Sequence, residues 1–190
     1  MNTRKQIRLP NYDYSDNGAY FITICTKDKK KIFGYVKNGQ MHYNEYGKIA
    51  FNEIEKTNSL RKDSGVRISK FIVMPNHVHM LLEITKGIDE TVVGTRRAVS
   101  NCTNKFSKPI TQSVSTIVGA YKSSVTKHIP EAGGPGTPWP YKITEKTIIW
   151  QPRFIDHVIR NERDYLEHWQ YIDNNPLKRE FDKYYYVGAD

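Results

Sequence analysis

His77 and His79 flank Val78 within the run NHVHMLLEI at residues 76–84. An extended strand alternates its side chains, so both imidazoles point to one face and Val78 to the other. Imidazole nitrogen is the commonest protein ligand for many divalent metals, and two rings side by side on a strand make a preorganised half-site. Tyr171 and Asn175 stand four residues apart in ERDYLEHWQYIDNN, a helical spacing that puts them on one face about a turn from each other. The asparagine offers a carbonyl oxygen, which Mg²⁺ or Mn²⁺ accepts, and the tyrosine a phenolic oxygen able to attack phosphorus. A divalent ion held by His77, His79 and Asn175 would stabilise the oxygens of a phosphodiester under attack by Tyr171. The chemistry these residues predict is phosphodiester transfer through a covalent bond between tyrosine and phosphate. It needs no nucleoside triphosphate, and the sequence has no GxxxxGK[ST] loop to bind one.

The elements that must hold these residues can be read from periodicity. GAYFITICT at 18–26 alternates and is rich in aromatic and β-branched residues, which predicts a strand, with KDKKK after it as a turn. NEYGKIAFNEIEKTNSL at 44–60 has amphipathic helical spacing. VRISKFIVMP at 66–75 and NHVHMLLEI at 76–84 predict two adjacent strands, the second central. SVSTIVGAYKSSVTKHI at 113–129 predicts a serine-capped helix, and TIIWQPRFIDHVI at 147–159 a strand, or a strand bent at Pro152. The helix carrying Tyr171 begins after Asn161 and is stopped by Pro176. This order predicts an α+β fold, a ferredoxin-like antiparallel sheet with helices on one face, followed by a C-terminal catalytic helix. A single domain over 1–190 is expected, with a basic loop at about 86–112 and a Gly/Pro-rich excursion at about 131–142.

The net charge of +9 and pI near 9.4 suit a polyanionic partner. Arg96, Arg97, Lys105, Lys108, Lys122 and Lys127 are candidates to track a phosphate backbone, and the Gln151 amide could hold a phosphate or a base. Trp150 and Trp169 are read as packing residues, while Trp139 could also stack on a base. No run of 18 apolar residues and no secretory leader pattern is present, so a cytoplasmic protein with no membrane partner is expected. Cys25 and Cys102 have no CxxC spacing, and no chemical role is assigned to them. Among rival nucleophiles, Tyr121 has no ligand one turn on, and Tyr165 lies on a different helical face and is expected to pack on the sheet. His157 and His168 are read as structural or solvated.

The segments MPNHVHMLLEI, KSSVTKHI and IIWQPRFIDHVIRNERDYLEHWQYIDNNP together resemble the REP-associated tyrosine transposases, part of the single-strand transposases of the HUH endonuclease superfamily. The resemblance runs roughly from Gly18 to Lys178. It implies a ferredoxin-like catalytic domain with the HUH histidines at His77 and His79, the nucleophile at Tyr171 and a polar metal ligand at Asn175. Asparagine at that last position points to the REP-associated branch, and the WQ pair at Gln151 recurs in the family. It further implies Mg²⁺ or Mn²⁺, a hairpin-bearing single-stranded DNA substrate, a 5′-phosphotyrosine intermediate and a monomeric or homodimeric, nucleoid-associated bacterial protein. The alternative is a non-catalytic protein of the same fold that binds DNA or RNA hairpins. A replication initiator or relaxase is a third reading, disfavoured by the small size.

Overall fold

The computed structural model describes residues 13–14, 16–85, 112–132 and 148–178. Most of the expected basic loop and of the Gly/Pro-rich excursion lies outside them. Strand β1 (Gly18–Cys25) is followed by β2 (Gly34–Lys37), β3 (Gln40–Tyr43) and helix α1 (Glu45–Arg61). Then come β4 (Val66–Met74), β5 (His77–Ile84), α2 (Val114–Ala132), β6 (Ile155–Ile159) and α3 (Glu162–Asn174). The main sheet has the order β4-β5-β1-β6, and each neighbouring pair is antiparallel. β1 and β4 therefore run parallel with β5 between them, which is the split β-α-β arrangement of a ferredoxin-like fold.

Alternation along the two central strands divides the molecule. Tyr20, Ile22 and Ile24 of β1 and Val78, Met80 and Leu82 of β5 face a core shared with Tyr46, Ala50 and Ile54 of α1 and Val114, Ile117, Val118, Tyr121 and Val125 of α2. Each such side chain contributes roughly 1.5–3 kcal/mol when fully buried. The buried Tyr121 hydroxyl donates to the Ala50 carbonyl at 3.1 Å and ties the two helices together. Helix α3 lies against the other face, where Phe21 of β1 meets His168 and Tyr171.

Two local features differ from the reading of periodicity, and a third takes one of its two alternatives. A hairpin, β2–β3, fills part of the stretch between the first strand and α1; its turn is Asn38-Gly39, with φ of 52° and 72°. Asn-Gly between extended segments is a strong hairpin signal, because a type I′ turn requires positive φ at both central residues. Of the segment 147–159, the described residues take the expected bent alternative: Trp150 makes an isolated bridge to Thr26, the chain bends at Pro152 and Arg153, and strand begins at Ile155. Helix α2 runs on to Ala132, two residues into the stretch expected to be all turn.

Asn44 caps α1, accepting from the Gly47 N–H at 2.9 Å and donating to the Ile32 carbonyl at 2.9 Å. A Cβ at Gly47 would run into the Phe33 carbonyl, so the first turn of α1 needs glycine for close approach. At the edge strand β4, where the ladder shifts register between Ile68 and Lys70, Asn58 of α1 stands in for a missing strand. Its amide donates to the Ile68 carbonyl at 2.9 Å, and its Oδ1 accepts from the Ile68 N–H at 2.6 Å. This satisfies two outward backbone groups and blunts the edge. Among the described residues no helix is long and apolar enough to cross a membrane.

Replacing Asn58 with alanine removes both bonds and is expected to cost about 1–3 kcal/mol, read as a lower midpoint in urea at unchanged slope. Asn58→Asp retains only the acceptor and should fall between the two.

Candidate active site

β5 sits between β4 and β1, so its inward side chains are covered on both sides. His77 lies opposite Cys25 and His79 opposite Thr23 on β1. Both histidines are buried, at 1% and 0% exposure, with ring centroids 4.5 Å apart. Their Nδ1 atoms are held by neighbours: His79 Nδ1 pairs with Thr23 Oγ1 at 2.9 Å, and His77 Nδ1 with Asn76 Oδ1 at 2.7 Å. An amide oxygen only accepts, so Nδ1 of His77 is the donor, and a neutral ring so held presents its lone pair on Nε2. Fixing the remote nitrogen in this way is how proteins orient a metal-ligating imidazole. The Nε2 atoms of both rings and Oδ1 of Asn175 are buried.

Helix α3 begins at Asn161, whose side chain accepts from the Asp164 N–H at 2.9 Å, and it carries Tyr171 over this pair. The half-buried Tyr171 ring stands edge-on to His79 at 5.2 Å and to Phe21 at 5.7 Å, and Phe21 in turn stacks on His79 at 5.1 Å. Asn175 caps the helix one turn later and is buried at 3% exposure, beyond the buried Ile172. The structure thus brings His77, His79 and Tyr171 together and buries Asn175 at the adjoining end of α3. Two imidazoles with an amide oxygen form a donor set that suits a divalent cation.

The rival tyrosines are engaged elsewhere. Tyr121 is in the core on the opposite face, where burial first, then the charges of Glu53 and Tyr43, hold its pKa well above the ordinary value. Tyr165 donates to Glu83 Oε1 at 2.7 Å, with Ser69 Oγ 3.0 Å away. Burial first, then Glu83, raises its pKa despite the opposing Ser69 bond.

Of the expected nucleic-acid contacts, Arg96, Arg97, Lys105 and Lys108 lie outside the described residues. Lys127 is exposed on α2. Lys122 is half-buried; its Nζ donates to the Gln151 carbonyl at 2.5 Å, and burial lowers its pKa. It therefore ties the 148–151 segment to α2 rather than reaching into solvent. Gln151 is partly exposed where that segment runs along the end of β1, its N–H donating to the Cys25 carbonyl at 3.0 Å. Trp150 is buried against Phe33 and Tyr121, and Cys25 is buried too.

The α+β fold, with a histidine pair on the central strand β5 and a tyrosine on the last helix α3, is similar to that of a solved tyrosine transposase. No family model matches the chain. It belongs to one family with an uncharacterized protein of Haemophilus influenzae, 35% identical over 188 residues that span 97% of this chain and 94% of that one. It is also similar to the REP-associated tyrosine transposase of Escherichia coli, at 22% identity over 165 residues covering 87% of this chain and 70% of that one. A solved REP-associated tyrosine transposase bound to a REP hairpin shares the fold, with a TM-score of 0.55 at 20% identity, covering 93% of this chain and 76% of that chain.

A second cluster escaped the sequence reading. His157 of β6 and His168 of α3, read there as structural or solvated, meet at Asp164. His157 Nε2 is 2.9 Å from Asp164 Oδ2, and His168 Nδ1 is 3.1 Å from Asp164 Oδ1. The available signal was Asp164-x3-His168, a pair four apart on one helical face. Burial pushes the Asp164 carboxyl up. The bonds from His157 and the Arg160 N–H, with the charges of the two histidines, outweigh burial and hold the pKa below the ordinary value. A depressed carboxyl contributes stability that is present above its unfolded pKa and is lost as pH falls through the folded one. Asp164→Asn should therefore lose stability relative to wild type at neutral pH and converge with it in acid. Chemical denaturation across that range measures the difference, and a constant gap would contradict the assignment.

Proposed function

We propose that the chain is a transposase-like DNA-nicking and rejoining enzyme with Tyr171 as nucleophile. The observation that carries this reading is the pair of buried imidazoles, outer nitrogens held by Asn76 and Thr23, with the Tyr171 ring 5.2 Å from His79. Mg²⁺ or Mn²⁺, held by Nε2 of His77 and His79 and Oδ1 of Asn175, would neutralise charge on the phosphoryl oxygens. The Tyr171 oxygen, having lost its proton, attacks the scissile phosphorus, and the bond to the 3′ oxygen breaks. That oxygen leaves as a protonated 3′-hydroxyl, while the 5′-phosphate stays on tyrosine. Attack by a 3′-hydroxyl on the phosphotyrosine reverses the exchange and restores Tyr171, so no external energy source is needed. The substrate class, single-stranded DNA bearing a hairpin, is extended from the solved relative bound to a REP hairpin. The net charge of +9 suits such a polyanion.

The test is incubation of end-labelled hairpin oligonucleotides with Mg²⁺ or Mn²⁺, followed by a denaturing gel. Wild type should give a covalent protein-DNA band, and Tyr171→Phe should lose it while retaining fold and hairpin affinity. The His77→Ala, His79→Ala double variant should likewise lose cleavage. Hairpin binding without any adduct from wild type would replace this reading with that of a non-catalytic hairpin binder. An adduct that persists in Tyr171→Phe would move the nucleophile to another tyrosine.

Thr23→Val tests the metal ligands separately, since valine keeps the shape but removes the partner of His79 Nδ1. Divalent-ion affinity should weaken about 10–100-fold, measured by titration calorimetry with Mn²⁺. Unchanged affinity would exclude His79 as an oriented ligand.

A further inference from the structure

We propose that His157, Asp164 and His168 form a second cation site, separate from the His77/His79 pair and suited to Zn²⁺, that clasps α3 to the edge strand β6. One ligand atom from each of the three lies within 4.8 Å of the others. His157 pairs with Phe21 in the ladder and so faces the same side of the sheet as α3, while Asp164 and His168 are one turn apart on that helix. The two imidazoles stack at 4.7 Å with planes 21° apart, and both contact the Asp164 carboxylate.

The spacing is close to what coordination requires. Zn²⁺ binds imidazole nitrogen and carboxylate oxygen at about 2.0–2.2 Å, which in a tetrahedron places ligand atoms about 3.3–3.6 Å apart. With Asp164 Oδ1 as the carboxylate ligand, its present separations of 3.0 Å from His157 Nε2 and 3.1 Å from His168 Nδ1 need to open by only a few tenths of an ångström. His168 would also surrender its Nδ1–H bond to the Asp164 carbonyl, now 2.8 Å long. Two imidazoles and one carboxylate favour Zn²⁺ over Mg²⁺, which prefers an oxygen shell. The His157 side chain is 45% exposed, against 18% for Asp164 and 22% for His168, so the ion can enter and water can complete its shell. Phe21 stands between His168 and His79, and the two sites share no ligand. The inference does not depend on the nucleolytic reading.

The experiment titrates Zn²⁺ into the metal-free full chain by calorimetry and records the visible spectrum of the Co²⁺-substituted protein. His157→Gln keeps a hydrogen-bonding amide beside Asp164 and removes the imidazole ligand, and circular dichroism checks its fold. His157→Gln, and separately Asp164→Asn, should each lower the zinc stoichiometry by one per chain or weaken that equivalent by at least about tenfold. The His77→Ala, His79→Ala variant should retain this equivalent together with its cobalt band. If the latter variant does not fold, the drop produced by His157→Gln in the native background decides the matter. Zinc binding unchanged in both His157→Gln and Asp164→Asn, or a folded His77→Ala, His79→Ala chain that takes up none, would overturn the proposal.

Discussion

The antiparallel register of β1 against β5 is the constraint on which the remaining architecture depends. It sets Cys25 opposite His77, Thr23 opposite His79 and Phe21 opposite Leu81. A slip of one residue in either strand would exchange its two faces, exposing its core side chains to α3 and turning the others into the core. The cost is prohibitive because Tyr20, Ile22, Ile24, Val78, Met80 and Leu82 are all fully buried against α1 and α2. The hydrophobic core therefore fixes the position of the polar site on its reverse side. Thr23 can reach the His79 ring only because this register holds.

Much of this was legible in the sequence because it depends on period. The two-residue repeat in HVH places both imidazoles on one face, and the four-residue interval from Tyr171 to Asn175 places both on one side of α3. The element order alone led to the ferredoxin-like sheet. What was missed depends on particular dihedrals or on pairing across the chain. The Asn38-Gly39 turn was a readable signal passed over beside the lysine-rich run. His157 was judged as a lone histidine, since nothing in its neighbourhood says that β6 will be laid against β1 at Phe21, beside the first turns of α3. Lys122 was grouped with surface cations by its charge, whereas its carbonyl partner at Gln151 comes from a segment 29 residues away. In 147–159 the sequence left open a straight strand or one bent at Pro152, and the described residues take the bent form, with a bridge from Trp150 to Thr26 and a strand from Ile155 along β1.

The two faces of the sheet are held by different forces. α1 and α2 bury a continuous apolar stripe, so their positions are set by close packing. α3 buries one residue fully, Ile172. Its remaining attachments are polar or aromatic: Tyr165 to Glu83, Lys70 to Asp173 at 2.5 Å, His157 to Asp164, and the ring contacts of Phe21. Partly exposed ion pairs of this kind contribute about 0–1 kcal/mol each. Among the described residues, the helix that carries the proposed nucleophile is thus held more by polar and aromatic contacts than by buried aliphatic side chains, unlike the two on the reverse face.

That difference bears on how a substrate could reach the histidines. His77 and His79 are buried beneath α3, and the Tyr171 ring packs edge-on against His79. In the proposed reaction a phosphodiester would approach Nε2 of the rings beside the half-buried Tyr171, whose ring packs on His79. A movement there would leave the core on the other face untouched, because α3 contributes only Ile172 as a fully buried side chain. The strands holding the imidazoles stay fixed, since their register is locked by that core. Under the proposed function, imidazoles on a central strand would preserve the coordination geometry, while a tyrosine on a helix held largely by polar and aromatic contacts would make room for the substrate.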